Sequence, residues 1–496
     1  MSNIFNTPGA GTEQPITPHH IAAPGQPSLF SLDVLRGIGL LGLLFVSSWE
    51  FGGLSTSQQN LFYYGTHGGN YKLFTIVSVL FEGKMLALLS LVFGAGIIAF
   101  MQKKHPTTLA THDAYIRRQL WLMAFGVFNA FILVWPSDIL FPFGVLGVLL
   151  FGFWRLKTRG LLIAALVCTL IYTGKQYWNY ADDKKDYKKF LAVKDVEKKF
   201  KQDSTTRAKK DSTDRIKDTV LLKDVLVKNK IADSLAKKND TLTKKQAEEK
   251  GKWKGMIKAM KYDSAQVKAE NKAMRSKKYT DVSYHAMSRS QDKESFWLYR
   301  KGIWEIAALM FLGMALYTIG FFNKRYAASR YIGIGVLLII AGLAFSWYRI
   351  SFNNARLPDY TTYIDKHALP YDQWQIVENM TMALGYASLV IGLLHTRLLH
   401  WLWMAMAATG KLALTNYTMQ TIICSFFFYG YGFGYFGRMS QWQLYFMMLE
   451  IIMVQVIFSV LWLRYYAQGP LEWLWGCLIY RKWLPNKKII TTHQAS

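Results

Sequence analysis

The sequence predicts an all-α membrane bundle of about ten transmembrane helices, interrupted by one long Lys-rich insert. Three observations predict it. Ten mostly apolar runs approach the roughly 20 helical residues that a hydrocarbon core of about 30 Å requires. The composition is split: 51% of the 496 residues are hydrophobic and 15% aromatic, yet the net charge is +27. Lys and Arg also alternate in density from one short loop to the next. A soluble α-protein is excluded, because so many long apolar runs would leave too little polar face.

The elements follow in order. Residues 1–30 carry Pro8, Pro15, Pro18, Pro24 and Pro27 among small and polar neighbours, which predicts a disordered tail. This stretch lacks Lys and Arg, so it makes a poor secretory signal. The apolar runs are 32–54, 73–101, 119–135, 138–154 and 159–178, then 297–321, 330–350, 376–395, 401–429 and 441–464. The second run carries Glu82 and Lys84 and is expected to begin as an interfacial piece. Trp135-Pro136-Ser137-Asp138 forms a tight turn between the third and fourth. The chain thus divides into helices one to five at 31–178, an insert at 179–296, helices six to ten at 297–466, and an interfacial segment and tail at 467–496.

The insert holds the second composition. Residues 175–300 contain 34 of the 59 basic residues and 19 of the 32 acidic ones, without a proline. A long solvated helix or helical hairpin and a disordered stretch both suit it. Val220-Leu221-Leu222 and Val225-Leu226-Val227 offer one short amphipathic seam.

Topology follows from the short loops. Lys103, Lys104, Arg117, Arg118, Arg155, Lys157, Arg159, Lys324, Arg325, Arg330 and Arg397 fall on one side, with Arg481, Lys482, Lys487 and Lys488 in the tail. The opposite loops carry Lys72, Arg349, Arg356, Lys366 and Arg438. The positive-inside rule then places both termini in the cytoplasm. The insert follows the fifth helix and faces outside, which the rule tolerates for long loops.

Polar residues within the apolar runs are the candidate site. Asp33 and Arg36 stand three apart on one helical face and can pair. Gly37, Gly39, Gly42, Gly94 and Gly96 suit close helix approach. Glu82 and Lys84, two apart, point away from each other, and each needs a partner elsewhere. Arg118 beside Arg117 suits either topology or the forked grip of a phosphate. Asp138 opens the fourth helix, where it can cap it. Asn416 and Gln420 share a face and suit interhelical bonding or cavity lining. Glu472 follows Pro470 near the positive end of a last short helix, with Trp473 and Trp475 fitting the headgroup belt. His67, in the first outer loop, is the base candidate.

Metal and nucleic-acid classes find no support. Cys168, Cys424 and Cys477 lie in or beside apolar runs, and there is no CxxC, HExxH, Walker A or GxGxxG pattern. No helix-turn-helix, zinc-finger or RNP signature accompanies the basic charge.

Three blocks carry a resemblance: Leu32-Asp33-Val34-Leu35-Arg36-Gly37, Gly410 through Gln420, and Gly469 through Trp475. With Glu82-Gly83-Lys84, Leu91 through Gly96 and Ser137-Asp138-Ile139-Leu140, they resemble the bacterial multi-pass family called domain of unknown function 418, the YeiB-like proteins. The insert has no counterpart in that pattern. The family in turn resembles transmembrane acyltransferases. The resemblance implies a bacterial inner-membrane protein that passes an acyl group from cytoplasmic acyl-CoA, such as acetyl-CoA, to an extracytoplasmic glycan or lipid. It implies Asp33 and Arg36 as core-site residues. The acetyltransferase pattern has an Asn where this chain has Ser47, and His67 is out of register with its loop histidine. The YeiB-like pattern often has a His where this chain has Asn129. On this reading the expected site is His67 and Asp33 for catalysis, with Arg36, Glu82, Lys84, Arg118, Asp138, Asn416, Gln420 and Glu472 binding substrate. The alternatives are a transporter or flippase using the same polar residues, and a membrane anchor whose basic insert binds an anionic envelope glycan or lipid.

Overall fold

The computed structural model describes residues 27–53, 68–103, 109–217, 242–260, 263–356, 359–396 and 398–488. His67, Lys104, Arg397, the tail before residue 27 and the seam at 220–227 lie outside the described residues. The described chain is helical. In order come α1 (Pro27–Phe51), α2 (Gly69–Leu80), α3 (Lys84–Lys103), α4 (Leu109–Val127), α5 (Leu140–Leu150), α6 (Thr158–Lys217), α7 (Lys244–Met260), α8 (Ser264–Met274) and α9 (Tyr279–Gln291). Then follow α10 (Ile303–Thr318), α11 (Ala328–Arg356), α12 (Tyr360–Lys366), α13 (Gln375–Thr396), α14 (His400–Lys411), α15 (Ala413–Phe428), α16 (Gln441–Tyr465) and α17 (Pro470–Tyr480).

Among the described residues, six helical segments are long and apolar enough to cross a membrane: Phe30–Phe51, Gly69–Gln102, Thr158–Arg207, Ala328–Arg356, Gln375–Thr396 and Gln441–Tyr465. The other apolar runs are shorter or interrupted. α4 gives way to a π-helical turn at Phe128–Ile132. α5 has 11 residues, α10 has 16, and α14 and α15 break at Leu412. The second run is broken too: Gly83, at φ +74°, separates α2 from α3.

Close helix crossings explain the small residues. A Cβ added to Gly37 of α1 would overlap the Met406 carbonyl, and one on Gly410 of α14 would overlap the Asp33 carbonyl. Gly94 of α3 and Gly313 of α10 are pinned in the same way against Met310 and Leu91. These backbones touch, as small-residue membrane interfaces do. Gly96 differs, with no atom within 4 Å of an added Cβ.

The outer surface is apolar where it should be polar in water. Leu162, Ile163, Leu166 and Leu170 of α6, Leu337 and Ile340 of α11, and Phe446, Met453 and Ile457 of α16 are all exposed. Stripes of this size are lipid-facing. Exposed aromatics ring both ends, with Trp178, Trp347 and Trp442 at one and Tyr326, Trp401 and Tyr465 at the other. This is the aromatic belt of a membrane protein.

The insert is helical where described. α6 continues for 60 residues, past its apolar part and into the lysine-rich stretch. A small aromatic core of Tyr180, Trp253, Tyr360 and Tyr363 seats α7 and α12 against it. The Tyr360 hydroxyl donates to Asp183 at 2.7 Å. α8 and α9 fold back onto the bundle, where Arg289 joins Glu270 at 2.7 Å and Glu50 of α1 at 2.5 Å. The bundle therefore has an insert end and a terminal end, the latter holding the start of α1 and all of α17.

Candidate functional site

A cavity of about 180 Å³ opens among α1, α3, α4, α5, α14, α15 and α17. Arg36, Arg118, Lys411, Glu472 and Trp475 line its terminal end. Leu40, Val92, Phe93, Ile97 and Leu122 form an apolar throat, with Gly96 leaving the wall open. Ile139, Leu140, Phe143 and Tyr417 line its other end. Its α3 lining runs from Leu89 to Ile97, roughly 12 Å at 1.5 Å per residue.

The mouth is cationic by construction. Arg36 pairs with Asp33 at 2.8 Å and reaches the Gly410 carbonyl at 3.4 Å, so the α1–α14 crossing fixes its position. Arg118 is different: its guanidinium lies over the Phe100 ring at 5.3 Å and the Trp475 ring at 4.9 Å. Among the described residues no ion pair or hydrogen bond holds it. A guanidinium stacked between aromatics keeps its charge and its planar donors available. The Trp475 indole donates to the Arg118 carbonyl at 3.1 Å, so α17 and α4 are locked together. Trp475 therefore lines the cavity, and its assignment to the headgroup belt is corrected. Glu472 bonds the first turn of α15 instead of serving its own helix, accepting from Leu414 N at 2.7 Å and Thr415 N at 3.0 Å. Gln119, 1% exposed, also lines the cavity and has an unpartnered Oε1.

At the opposite end, the Tyr417 hydroxyl accepts from Ile139 N at 3.1 Å and lies beside the Asp138 carboxylate. Asp138 accepts from Asn129 Nδ2 and from Phe141 N, each at 2.9 Å. The second bond is the helix cap expected of Asp138.

Four of the sequence-derived binding residues lie away from this cavity. Asn416 donates to Ser459 at 2.8 Å and to the Thr409 carbonyl at 3.1 Å. Gln420 donates to Gln455 at 2.9 Å, and Gln455 returns a bond to the Asn416 carbonyl at 2.7 Å. Their shared face glues α15 to α16, so cavity lining is corrected to interhelical bonding. Glu82 and Lys84 belong to a buried ion network. Lys84 pairs with Glu378, and Arg349 bonds Glu378 at 2.9 Å and Glu82 at 3.4 Å. Ser346 adds a bond to Glu378 at 2.7 Å. Two carboxylates meet two cations, so the network is neutral and carries no spare charge for a substrate.

Sequence reasoning placed Arg349 in a loop and missed Glu378. Their signal was a lone charge inside an apolar helix, which by itself asks for a partner or a function. Asp33, Arg36, Arg118 and Glu472 do converge on one mouth.

The family model described as "Protein of unknown function (DUF418)" matches residues 316–482, the stretch that contributes Lys411, Tyr417, Glu472 and Trp475 to the cavity. The uncharacterized protein YxaH of Bacillus subtilis is 24% identical over 471 residues, covering 92% of this chain and 95% of its own. The uncharacterized protein YeiB of Escherichia coli is 24% identical over 470 residues, covering 91% of this chain and 96% of its own. An uncharacterized 39.9 kDa protein from the amylase 3' region of Bacillus acidopullulyticus is 35% identical over 100 residues, covering 20% of this chain and 28% of its own. No solved structure matches the chain. A family match over its carboxyl-terminal helices and relatives spanning nearly its whole length together support a place for the chain among the YeiB-like DUF418 proteins.

Proposed function

We propose that this protein transfers an acyl group from a cytoplasmic acyl-CoA to an extracytoplasmic glycan or lipid, crossing the bacterial inner membrane about ten times with both termini inside. One observation carries the reading: the aromatic-stacked Arg118, free of any ion pair among the described residues, stands at the mouth of an apolar cavity that runs inward. The chemistry suits a donor with an anionic phosphate head and a thin acyl-bearing arm. Arg36, Arg118 and Lys411 meet the head through charge-assisted bonds. The throat takes the arm and excludes water from the thioester. A transporter would need a polar path, and Glu82, Lys84, Arg349 and Glu378 are instead paired in a neutral cluster outside the cavity.

Equilibrium binding of labelled acetyl-CoA to the full chain in nanodiscs tests the donor site. Arg118→Gln is expected to weaken binding by about tenfold or more, the equivalent of one charged hydrogen bond of roughly 1.5–3 kcal/mol. Equal affinity in the variant, or no binding by the parent protein, refutes the assignment.

Orientation is tested separately. The native cysteines are buried, while Ser204 and Lys482 are exposed. In spheroplasts, Ser204→Cys is expected to react with an impermeant maleimide and Lys482→Cys only after lysis. The reverse pattern inverts the donor-inside scheme.

A further inference from the structure

The wall at the insert end of the cavity leads to a group with no structural need for its charge. Asp138 is 1% exposed. It accepts from an amide and from the Phe141 N–H, the Tyr417 phenol lies beside it, and no cation pairs with it among the described residues. A cap needs only an oxygen, and Ser or Asn supplies one without burying a carboxylate. Beside it, two polar atoms are left unused. Asn129 Oδ1 and Trp135 Nε1 have no partner, and both residues are 1% exposed. Asn129 sits in the π-helical turn, an irregularity that often marks functional positions. The Trp135 ring lies 5.5 Å from that of Tyr417, and Tyr417 faces the cavity.

We infer that Tyr417 is the catalytic residue at the inner end of the cavity, with Asp138 as the group that receives its proton and Asn129 as a positioning residue that holds the Asp138 carboxylate through its Nδ2. The inference rests on the acyl-transfer reading. The acceptor is an alcohol. Its oxygen attacks the thioester carbonyl carbon while its proton passes to the Tyr417 oxygen, and the phenolic proton passes to Asp138. Collapse of the tetrahedral adduct breaks the carbon–sulfur bond. The proton returns by the same path to the departing thiolate, giving an ester and a free thiol. Asn129 Oδ1 and the Trp135 indole N–H supply one acceptor and one donor for the incoming polyol.

The experiment measures transfer of label from [14C]acetyl-CoA to isolated bacterial membranes by the full chain in nanodiscs. Tyr417→Phe and Asp138→Asn are expected to lower kcat by about 100-fold or more, the usual scale of a proton acceptor. The KM and binding of acetyl-CoA should hold within about threefold in both, a split that a purely structural role would not produce. Asp138→Asn retains an oxygen for the Phe141 cap, and Asp138→Glu should restore part of kcat. If either variant loses donor binding, Asn129→Ala, which removes neither cap nor cavity wall, decides by the same split. Full kcat in Tyr417→Phe overturns the inference and leaves the transfer reading standing. No acetyl-CoA binding or label transfer by the parent protein fails the transfer reading itself.

Discussion

Replacing Arg349 with methionine is expected to destabilise the bundle by about 3–5 kcal/mol, the cost of breaking a buried ion pair from one side. Arg349 bridges two carboxylates, Glu378 at 2.9 Å and Glu82 at 3.4 Å. Its removal leaves the buried Glu378 and the half-buried Glu82 against Lys84 alone. α11 carries Arg349, α13 carries Glu378, and the α2–α3 junction carries Glu82 and Lys84, so three parts of the bundle lose a common anchor. Unfolding of the purified protein by titration with a denaturing detergent reads the loss.

Charge arithmetic provides the control. Arg349→Met combined with Glu82→Gln leaves Lys84 facing Glu378, a balanced pair, and should recover most of the lost stability. Non-additivity of this kind is what direct partners show. If the double variant is less stable than Arg349→Met alone, the network is not held by charge balance. Donor binding should survive in the double variant, because none of the four ionic residues lines the cavity.

This network also marks where the sequence stopped being legible. Apolar run length located the helices, because the hydrocarbon thickness acts on each run independently. The Asp33–Arg36 pair was readable because its partners are three residues apart. Lys84 and Glu378 are 294 residues apart, and no local periodicity encodes which helix faces which. The shared face of Asn416 and Gln420 was visible, but its direction was not: the answer lay in Gln455 and Ser459 of α16. Trp475 misled for a related reason. An indole near a chain end fits the headgroup belt by default, and only its bond to the Arg118 carbonyl across 357 residues moves it into the cavity wall. His67, the one catalytic candidate of the sequence outside the described residues, left the proton-accepting role to be sought between Asp138 and Tyr417.

Glu472→Ala is expected to cost about 1–3 kcal/mol of stability, the scale of a lost helix cap with its buried donors exposed, and to weaken acetyl-CoA binding by about tenfold. The reason lies in α15. The residue before its first turn is Leu412, which has no side-chain oxygen to offer. Glu472 supplies the cap from 58 residues away, accepting from Leu414 N, Thr415 N and the Thr415 hydroxyl at 2.7, 3.0 and 2.5 Å. Thr415 Oγ1 in turn accepts from Leu471 N at 3.1 Å, closing the joint from the other side. Gly469 is required there, since an added Cβ would lie 2.7 Å from that same hydroxyl oxygen. A negative charge at a helix start is also favoured by the macrodipole. The joint holds the start of α17, and Trp475 one turn along stacks on Arg118. Loosening it therefore disturbs the cation without touching it. Glu472→Gln keeps an oxygen for the cap and should lose only about threefold in binding, while Thr415→Val should resemble the alanine variant in stability. Glu472→Ala as stable and as tight-binding as the parent protein would separate the α15–α17 joint from the donor mouth.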